Sequence, residues 1–289
     1  HSPRLALPTL VLITRLCQCL ARTPHATSLT NKHVTIIGAG PSSLFLANIL
    51  LQQDPTVNIQ ILEKKTRDGT ADDGAFGFGI GSRHEITLAQ IPGMWEQLKE
   101  VSAPTKLGKV NLIRRNDLCD KLRSRLEDKF SARCNILYET KCVGIEFEQS
   151  IVSLENGSKI SYDLLVGADG VNSMVRAAIK KDDAEYYEEH YVRPMFWKAM
   201  KLPDQNGNVD PGTFRMISGG GFSEGAMIPR YPEGHTILVF WDHLDLQNPK
   251  GVRDEKDLLN AFMKGLHAKK PFFQRLISFG RKKTDEKLQ

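Results

Sequence analysis

The sequence predicts an α/β fold in which a parallel βαβ unit is followed by a separate, mainly antiparallel β-sheet. Three observations support this prediction. Between Lys32 and Leu62, two β-branched runs flank an apolar helical pattern, which is typical of a βαβ unit. From Ile136 onward the hydrophobic period changes to that of strands. Between Tyr191 and Trp241, short strand-like segments alternate with turns rich in glycine, proline and asparagine.

The composition fits a folded chain of one large or two modest domains. The 289 residues include 40% hydrophobic and 25% charged side chains, which is enough for a sizeable core and excludes disordered, collagen-like and coiled-coil classes. The most apolar stretch, Leu5 to Leu20, is interrupted by proline, arginine and glutamine. Because a membrane-spanning helix needs roughly 18–20 apolar residues in succession, we expect no transmembrane segment.

The positive charge of the chain is concentrated in its first residues. The formal net charge is +5, and four of the 39 basic residues fall in the first 53 positions, which hold no acidic residue. The rest of the chain therefore carries 35 basic residues against 34 acidic ones. We expect no nucleic-acid partner, because a nucleic-acid-binding domain shows clustered basic charge.

Residues 1–30 are predicted to be a leader. They carry arginine, serine, threonine and leucine but no acid, as an organellar transit peptide does. This predicts a mitochondrial or plastid location, with the cytoplasm as the alternative. A secretory signal and an unstructured extension are the other interpretations, although Arg15 interrupts the apolar region that a secretory signal requires. At the other end, residues 281–289 form a charged tail.

The five cysteines predict neither a disulfide framework nor a metal site. Their number is odd, no pair has the CxxC spacing, and no histidine lies at zinc-ligand spacing from them. We therefore expect reduced, buried thiols in an intracellular compartment and no bound metal.

The first half of the chain is predicted to form one βαβ unit and a set of helices. The predicted elements are a strand at Lys32–Ile37, a helix at Ser42–Gln53, a strand at Val57–Leu62, a glycine-rich loop at Asp68–Gly81, and helices at Glu85–Gln90, Met94–Glu100 and Asn116–Phe130. The last helix has leucines every four residues on one face, which predicts that this face is buried.

The second half of the chain is predicted to be rich in strands. The predicted elements are strands at Ile136–Tyr138, Cys142–Phe147, Ile151–Leu154 and Lys159–Val166, a helix at Asn172–Lys180, strands at Arg193–Lys201, Thr213–Ile217, Gly225–Ile228 and Thr236–Trp241, and helices at Glu255–Leu266 and Phe272–Ile277. The dipeptide Asn156-Gly157 predicts a hairpin turn. We expect two domains, at residues 31–185 and 186–280.

A glycine-rich turn joins the first strand to the first helix. In the run from Gly38 to Ser43, which reads GAGPSS, Gly38 allows a tight turn and Gly40 lets a pyrophosphate approach the backbone. The small Ser43 allows close packing of the helix. Glu63, 20 residues later, is placed to accept a hydrogen bond from a ribose hydroxyl. The pattern predicts a Rossmann-like dinucleotide-binding domain, and an ordinary glycine-rich turn is the alternative.

Two further motifs resemble those of one enzyme family. The stretch from Asp163 to Arg176, which reads DLLVGADGVNSMVR, resembles the DG motif of flavin-dependent aromatic hydroxylases, the family of para-hydroxybenzoate hydroxylase and kynurenine 3-monooxygenase. The run that begins at Arg115, which reads RNDL, resembles the Arg-x-x-Leu element of that family. The resemblance covers about Lys32 to Phe279, and the order of elements is most similar to that of kynurenine 3-monooxygenase.

The resemblance implies an FAD-dependent monooxygenase that uses NAD(P)H and oxygen to hydroxylate a small aromatic substrate. It also implies an FAD-binding domain with an inserted, mainly antiparallel β-sheet substrate domain. The implied FAD contacts are Gly38, Gly40, Ser42 and Ser43 at the pyrophosphate, Glu63 and Lys64 at the adenosine ribose, Arg115 at the phosphates or ribitol, the Cys142 N–H at the adenine, and Asp169 where FAD and the nicotinamide approach. The substrate, the choice of NADH or NADPH and the oligomeric state stay open.

Three of these residues also have ordinary structural interpretations. Arg115 fits a surface arginine in a first helical turn, Cys142 fits a buried thiol, and Asp169 fits a helix cap. The sequence has no segment of the Gly-Asp-Ala-Ala-His type that closes the flavin site in such hydroxylases, so we expect an incomplete product or a diverged member. A non-catalytic FAD- or nucleotide-binding protein and an NAD(P)-dependent dehydrogenase are therefore alternative functions.

Overall fold

The chain divides into two compact units. The computed structural model describes residues 29–67, 77–105, 110–189, 195–202, 214–219, 222–229 and 234–242. Residues 1–28 of the predicted leader, the charged tail and the predicted helices Glu255–Leu266 and Phe272–Ile277 lie outside these described residues. The first unit comprises residues 1–73, 83–98 and 115–189, and the second comprises residues 74–82, 99–114 and 190–289.

Helices and strands are mixed in the first unit, and strands dominate the described part of the second. In chain order the helices are α1 (Pro41–Gln53), α2 (Ser82–Leu88), α3 (Met94–Glu100), α4 (Arg115–Phe130) and α5 (Met174–Asp182). The strands are β1 (His33–Ile37), β2 (Asn58–Leu62), β3 (Gly77–Ile80), β4 (Ala103–Pro104), β5 (Asn111–Arg114), β6 (Cys134–Leu137), β7 (Cys142–Glu146), β8 (Ile151–Leu154), β9 (Lys159–Ser161), β10 (Leu164–Gly167), β11 (Met195–Leu202), β12 (Arg215–Gly219), β13 (Phe222–Pro229) and β14 (His235–Asp242). The predicted mixed α/β character is confirmed. Each helix in the described ranges is too short or too polar to cross a membrane.

A four-stranded parallel sheet forms the centre of the first unit. Its strand order is β10-β1-β2-β6, and the β-branched side chains of Val34 and Ile36 in β1 are fully buried. The register pairs Ile37 with Leu62 on one side and with Gly167 on the other, so β1, β2 and β10 end at the same edge. The residues that follow these three strands therefore lie close together at the carboxyl edge of the sheet, where α/β folds place their ligands.

Helix α1 packs against α4. Every residue from Ser43 to Leu51 in α1 is buried, because the helix is apolar on nearly all sides. The buried Asn48 joins the two helices, since its Nδ2 donates to the carbonyl of Leu44 at 2.8 Å and to the carbonyl of Leu122 in α4 at 3.0 Å. This contact fixes α4 beside the helix that follows the glycine turn.

Arg133 caps the C-terminal end of α1. Its Nη1 donates to the carbonyls of Asp54 at 3.0 Å and Val57 at 3.2 Å, and its Nη2 donates to the carbonyl of Leu51 at 3.0 Å. Carbonyls at the end of a helix lack intrahelical partners, and a cation is favourable beside the negative end of the helix dipole. Arg133 thereby stabilises the turn that leads into β2.

A three-stranded antiparallel sheet of order β7-β8-β9 follows β6. The predicted hairpin turn is observed, because Gly157 has a φ of +85° and its N–H donates to the carbonyl of Leu154 at 3.0 Å. The prediction of one strand at Lys159–Val166 is wrong, since this run divides into β9, antiparallel to β8, and β10, parallel to β1. Between them, the Asp163 carboxylate accepts a hydrogen bond from the His33 N–H at 2.7 Å, at the start of the pairing between β1 and β10.

The second unit contains two antiparallel sheets. Its four-stranded sheet has the order β11-β14-β13-β12, which agrees with the antiparallel sheet predicted between Tyr191 and Trp241. The three-stranded sheet β3-β5-β4 is absent from the prediction. Strand β3 falls in the predicted glycine-rich loop, and β4 and β5 have two and four residues, which is too short for a periodic signal. Buried side chains from both sheets form one cluster of Ala103, Leu112, Ala226, Ile228 and Leu238.

Candidate functional site

A cleft of about 500 Å³ lies at the carboxyl edge of the parallel sheet, within the first unit. Its walls are the turn between β1 and α1, the residues after β2, the cleft-facing side of α4, the start of β7 and the loop between β10 and α5. Seven of the nine residues predicted to bind the cofactor line it: Gly38, Gly40, Glu63, Lys64, Arg115, Cys142 and Asp169. The other two, Ser42 and Ser43, lie in the first turn of α1.

Gly38 brings two of the sequence motifs into backbone contact. Its φ is +94°, a conformation that favours glycine. A Cβ at this position would lie 2.7 Å from the carbonyl oxygen of Ala168 and 2.9 Å from the Cα of Asp169. The Gly38 N–H donates to the carbonyl of Leu62 at 2.7 Å. Glycine is therefore required here by its positive φ and by the close approach of the Ala168–Asp169 backbone. The turn after β1 is thereby fixed against the loop after β10.

The N-terminus of α1 leaves backbone donors available for an anion. Gly40 is the N-cap, proline occupies the next position, and among the described residues no side chain caps this end. The N–H groups of Ser42 and Ser43 belong to the first turn and have no intrahelical acceptor. The buried Ser43 hydroxyl donates to the Gly40 carbonyl at 2.9 Å. Ser42 and Ser43 are therefore suited to bind through their backbone N–H groups.

Arg115 places a guanidinium opposite this helix end. It is the first residue of α4 and it is exposed. Its Nη2 lies 3.5 Å from the position that a Cβ on Gly40 would occupy. The guanidinium therefore lies directly beside the N-cap of α1, at the distance of an ordinary contact from a side chain there. A helix N-terminus and an arginine facing one space form an arrangement that attracts phosphate.

The carboxylate of Glu63 is held by backbone groups at the base of the cleft. Its Oε2 accepts a hydrogen bond from the Ala39 N–H at 2.8 Å, and its Oε1 accepts one from the Lys65 N–H at 2.9 Å. The next residue, Lys64, is exposed and lines the cleft. Each carboxylate oxygen can accept more than one hydrogen bond, so a ribose hydroxyl remains a possible further donor to Glu63.

The Asp169 carboxylate accepts hydrogen bonds at the N-terminal end of α5. Its Oδ1 accepts a hydrogen bond from the Ser173 hydroxyl at 2.6 Å, and its Oδ2 accepts one from the Met174 N–H at 2.6 Å. Ser173 is the N-cap of α5, and its hydroxyl oxygen accepts from the Arg176 N–H at 3.0 Å. The capping interpretation therefore describes the side-chain contacts of Asp169. The same contacts fix the loop that contacts Gly38.

The buried thiols of the cleft are unsuited to nucleophilic chemistry. Burial raises the pKa of Cys119 to about 11, and it also raises the pKa of Cys142. The Sγ of Cys142 lies 3.7 Å from the Gly144 carbonyl oxygen. Because the thiolate is the reactive form of cysteine, both residues stay protonated near neutral pH.

The cleft residues that the sequence analysis did not name as site residues include Cys119 and Arg123 on α4. These two follow Arg115 at intervals of four residues on α4 and therefore lie on the same side of the helix. This spacing is the signal that identifies them. The Arg123 side chain is 9% exposed, pairs with Asp120 at 2.9 Å and lies over the ring of Tyr138 at 5.9 Å from its centroid.

Basic side chains outnumber acidic ones around the cleft. The lining residues include Lys64, Lys65, Arg115, Arg123 and Lys141 against Glu63 and Asp169. The two acidic carboxylates already accept hydrogen bonds from the protein. A concave site with this balance attracts an anionic ligand. In the ranges that the structure describes, no group of three His, Cys, Asp or Glu side chains is arranged to hold a metal ion.

Comparisons with known proteins agree with the sequence motifs. No family model matches the chain. The chain is 24% identical over 217 residues to the monooxygenase asqM of Emericella nidulans, a match that covers 64% of this chain and 48% of that protein. It is 22% identical over 238 residues to the kynurenine 3-monooxygenase of Dictyostelium discoideum, which covers 74% of this chain and 50% of that protein.

A solved structure shares the fold. PqsL of Pseudomonas aeruginosa, described as a probable FAD-dependent monooxygenase, matches with a TM-score of 0.58 and 14% identity over 75% of this chain and 62% of that one. The chain is thus similar in sequence to two monooxygenases and in fold to a probable FAD-dependent monooxygenase. It spans about half the length of the two curated relatives.

The donors around the cleft suit a diphosphate such as that of FAD. A diphosphate needs several donors around a space without side chains. The N–H groups of Ser42 and Ser43 supply donors from one side, and the Arg115 guanidinium supplies them from the other. Gly40 presents no side chain between them, and a Cβ there would make an ordinary contact with Arg115 Nη2 at 3.5 Å.

Proposed function

We propose that the cleft in the first unit binds FAD, with the FAD diphosphate at the N-terminus of α1. The observation that carries this proposal is the backbone junction of Gly38 with Ala168 and Asp169, beside the guanidinium of Arg115. This junction brings three separate sequence motifs into one basic cleft. The first unit is accordingly the FAD-binding domain in this proposal, and the antiparallel sheets of the second unit belong to a substrate domain.

The cleft residues divide into three groups along the proposed FAD. One group binds the diphosphate, a second binds the adenosine, and the third borders the flavin side. The diphosphate group comprises Gly38, Gly40, the N–H groups of Ser42 and Ser43, and Arg115. The adenosine group comprises Glu63, Lys64 and the N–H of Cys142, and Asp169 borders the flavin side. Charge-assisted hydrogen bonds from Arg115 make the first group the strongest contributor to affinity.

We further propose that the chain is part of an NAD(P)H-dependent monooxygenase that acts on a small aromatic substrate. A bound flavin supplies the redox chemistry between NAD(P)H and oxygen, and the protein binds and orients the cofactor and excludes water. The two monooxygenase relatives support this proposal. A PqsL structure that contains 2-aminobenzoylacetate supports an aromatic substrate. The acid-free residues 1–30 support an organellar location.

A non-catalytic FAD-binding protein is the second candidate function. Tight FAD binding without NAD(P)H-driven oxygen consumption would distinguish it from the monooxygenase.

The visible absorption spectrum of the purified, desalted chain tests the proposal, recorded before and after reconstitution with FAD. We expect a flavin spectrum that survives desalting. Arg115→Ala should weaken FAD binding about tenfold or more, because it removes a charged donor to the diphosphate. The matched control is Arg67→Ala, which removes an exposed arginine of the same unit that pairs with Glu127 at 2.8 Å and does not line the cleft.

Three outcomes separate the candidate functions. A colourless chain that cannot be reconstituted contradicts FAD binding. A chain that binds NAD(P)H in preference to FAD supports a dehydrogenase instead. A chain that binds FAD tightly but consumes no oxygen with NAD(P)H and a panel of aromatic compounds is the non-catalytic protein.

A further inference from the structure

Glu63 links the turn after β1 to the turn after β2. Its two carboxylate oxygens accept hydrogen bonds from the N–H groups of Ala39 and Lys65, at 2.8 Å and 2.9 Å. The bond to Ala39 joins residues that are 24 positions apart, and it reaches the residue that lies between the two glycines of the turn. The carboxylate is thus a structural part of the glycine turn before any ligand binds.

We infer that Glu63 is a positioning residue for the anion-binding turn, and that it acts on diphosphate binding through the backbone of Ala39. This inference rests on the proposed function, since it assigns the turn to a diphosphate. It adds to the adenosine contact proposed above, which the family resemblance implies for Glu63. A positioning role does not require the ligand to carry a ribose hydroxyl.

The backbone hydrogen bonds explain how Glu63 sets the direction of the turn. The Gly38 N–H donates to the Leu62 carbonyl at 2.7 Å, and the Ala39 N–H donates to Glu63. The first two donors of the turn therefore point toward β2. The N–H groups of Ser42 and Ser43, one turn further along, are left to face the anion. Loss of the bond to Ala39 frees the turn to rotate away from this arrangement.

Replacement of Glu63 by glutamine tests the acceptor count with almost no change in volume. A carboxylate presents two acceptor oxygens, whereas an amide presents one acceptor and one donor. In Glu63→Gln the NH₂ group would face the N–H of either Ala39 or Lys65. One of the two backbone bonds is then lost, and a buried donor without a partner is costly. Because the lost bond can be the one to Lys65, the deciding variant is Glu63→Ala, which removes both acceptor oxygens.

Binding of two nucleotides separates a positioning role from direct ribose recognition. We would measure the affinity of the full chain for ADP and for 2′,3′-dideoxy-ADP, which lacks both ribose hydroxyls, by titration calorimetry. If Glu63 acts through the turn, Glu63→Ala weakens the dideoxy ligand as well as ADP, each by about tenfold or more. If Glu63 acts only on the ribose, the variant weakens ADP alone and binds the dideoxy ligand like the unaltered chain, which would overturn the inference.

Hydrogen exchange of the Ala39 amide gives a readout that needs no ligand. We expect this amide to be protected in the unaltered chain and to exchange at least about tenfold faster in Glu63→Ala, which removes both acceptor oxygens. Unchanged exchange at Ala39 overturns the inference even if neither nucleotide binds. Failure of the unaltered chain to bind ADP and FAD would instead refute the proposed function, so the two failures are distinguishable. Should Glu63→Ala not fold, Glu63→Asp keeps the charge but shortens the reach, and exchange at Ala39 then decides.

Asp163→Asn is the matched control. Asp163 also bridges to a backbone N–H, that of His33 at 2.7 Å, but it does so at the opposite end of β1 from the glycine turn. We expect the control to leave Ala39 exchange and ADP affinity within about twofold of the unaltered chain, since an exposed carboxylate far from the turn has little effect on it. An equal loss of affinity in both variants would mean general loosening of the sheet and would overturn the inference.

Discussion

Replacement of Gly38 by alanine tests the junction between the glycine turn and the loop after β10. The φ of Gly38 is +94°, and an L-residue in a left-handed conformation costs roughly 1–2 kcal/mol. The added Cβ would lie 2.7 Å from the Ala168 carbonyl oxygen, where ordinary contacts begin at about 3.4 Å. The backbone must therefore shift, and such overpacking costs about 1–3 kcal/mol.

The two effects together predict that Gly38→Ala lowers the free energy of unfolding by about 2–5 kcal/mol. Gly157→Ala is the matched control, because Gly157 has a similar φ of +85° but an added Cβ there meets no atom within 4 Å. The control should lose only the roughly 1–2 kcal/mol of the backbone conformation. Urea unfolding followed by circular dichroism measures both values, provided that the dependence on urea is the same for the two variants.

The difference between these two glycine variants isolates the contact with Ala168. Gly38→Ala should also lose FAD after desalting, whereas Gly157→Ala, in the hairpin between β8 and β9, should retain it. Equal losses of stability in the two variants would refute the reasoning, because the shared backbone conformation would then explain the whole effect.

Three further predictions concern pH dependence and helix ends. Burial raises the pKa of Cys119 and of Cys134 from 9.0 to about 11. These thiols therefore ionise at lower pH in the unfolded chain, and the free energy of unfolding falls as pH rises from about 9 to 11. Cys119→Ala should make this fall less steep in urea titrations at several pH values. Arg133→Ala should lower stability by about 1–3 kcal/mol, since three carbonyl acceptors near the end of α1 lose their donor, whereas Arg67→Ala should change it by about 0–1 kcal/mol. Asp169→Asn should cost about 1 kcal/mol through the cap of α5, and a thermal midpoint equal to that of the unaltered chain would contradict this assignment.

Much of the first unit was predictable because its signals are local. The run from His33 to Ile37 is β-branched and apolar, the next helix is apolar on nearly all sides, and the glycine turn stands between them. Parallel strands end at one edge of a sheet, so Gly38 and Glu63 were expected to lie close together. The structure places them in one cleft with Arg115 and Asp169, and their binding of FAD stays a prediction.

The strands that were predicted wrongly or not at all have physical causes that the local sequence pattern does not contain. The apolar run at Lys159–Val166 continues through two strands, and the change of partner at Asp163 depends on His33, which is 130 residues away. Strand β3 contains Gly77 and Gly79, which weaken a strand signal; a Cβ on Gly79 would lie 3.1 Å from Val110, so the neighbouring segment favours glycine there.

The contacts of Glu63 and Asp169 show the limit of motif analysis at the site. A motif indicates that a carboxylate belongs at each position, and the resemblance associates both with the cofactor. In the structure both carboxylates accept hydrogen bonds from backbone N–H groups of this chain. Hydrogen bonds of this kind depend on where distant backbone segments meet, which spacing along the sequence does not specify.

The strand order of the parallel sheet has a consequence for synthesis on the ribosome. Strand β1 pairs with β2 about 25 residues later, but its other neighbour, β10, is separated from it by 130 residues, as in the pairing of Val34 with Leu164. At about 5–20 residues per second, β10 is made roughly 7–26 s after β1. During that interval one edge of β1 has no strand partner, and an unpaired edge is prone to association with other chains. We therefore expect nascent chains that stop short of Leu164 to aggregate more readily than chains that extend beyond Gly167.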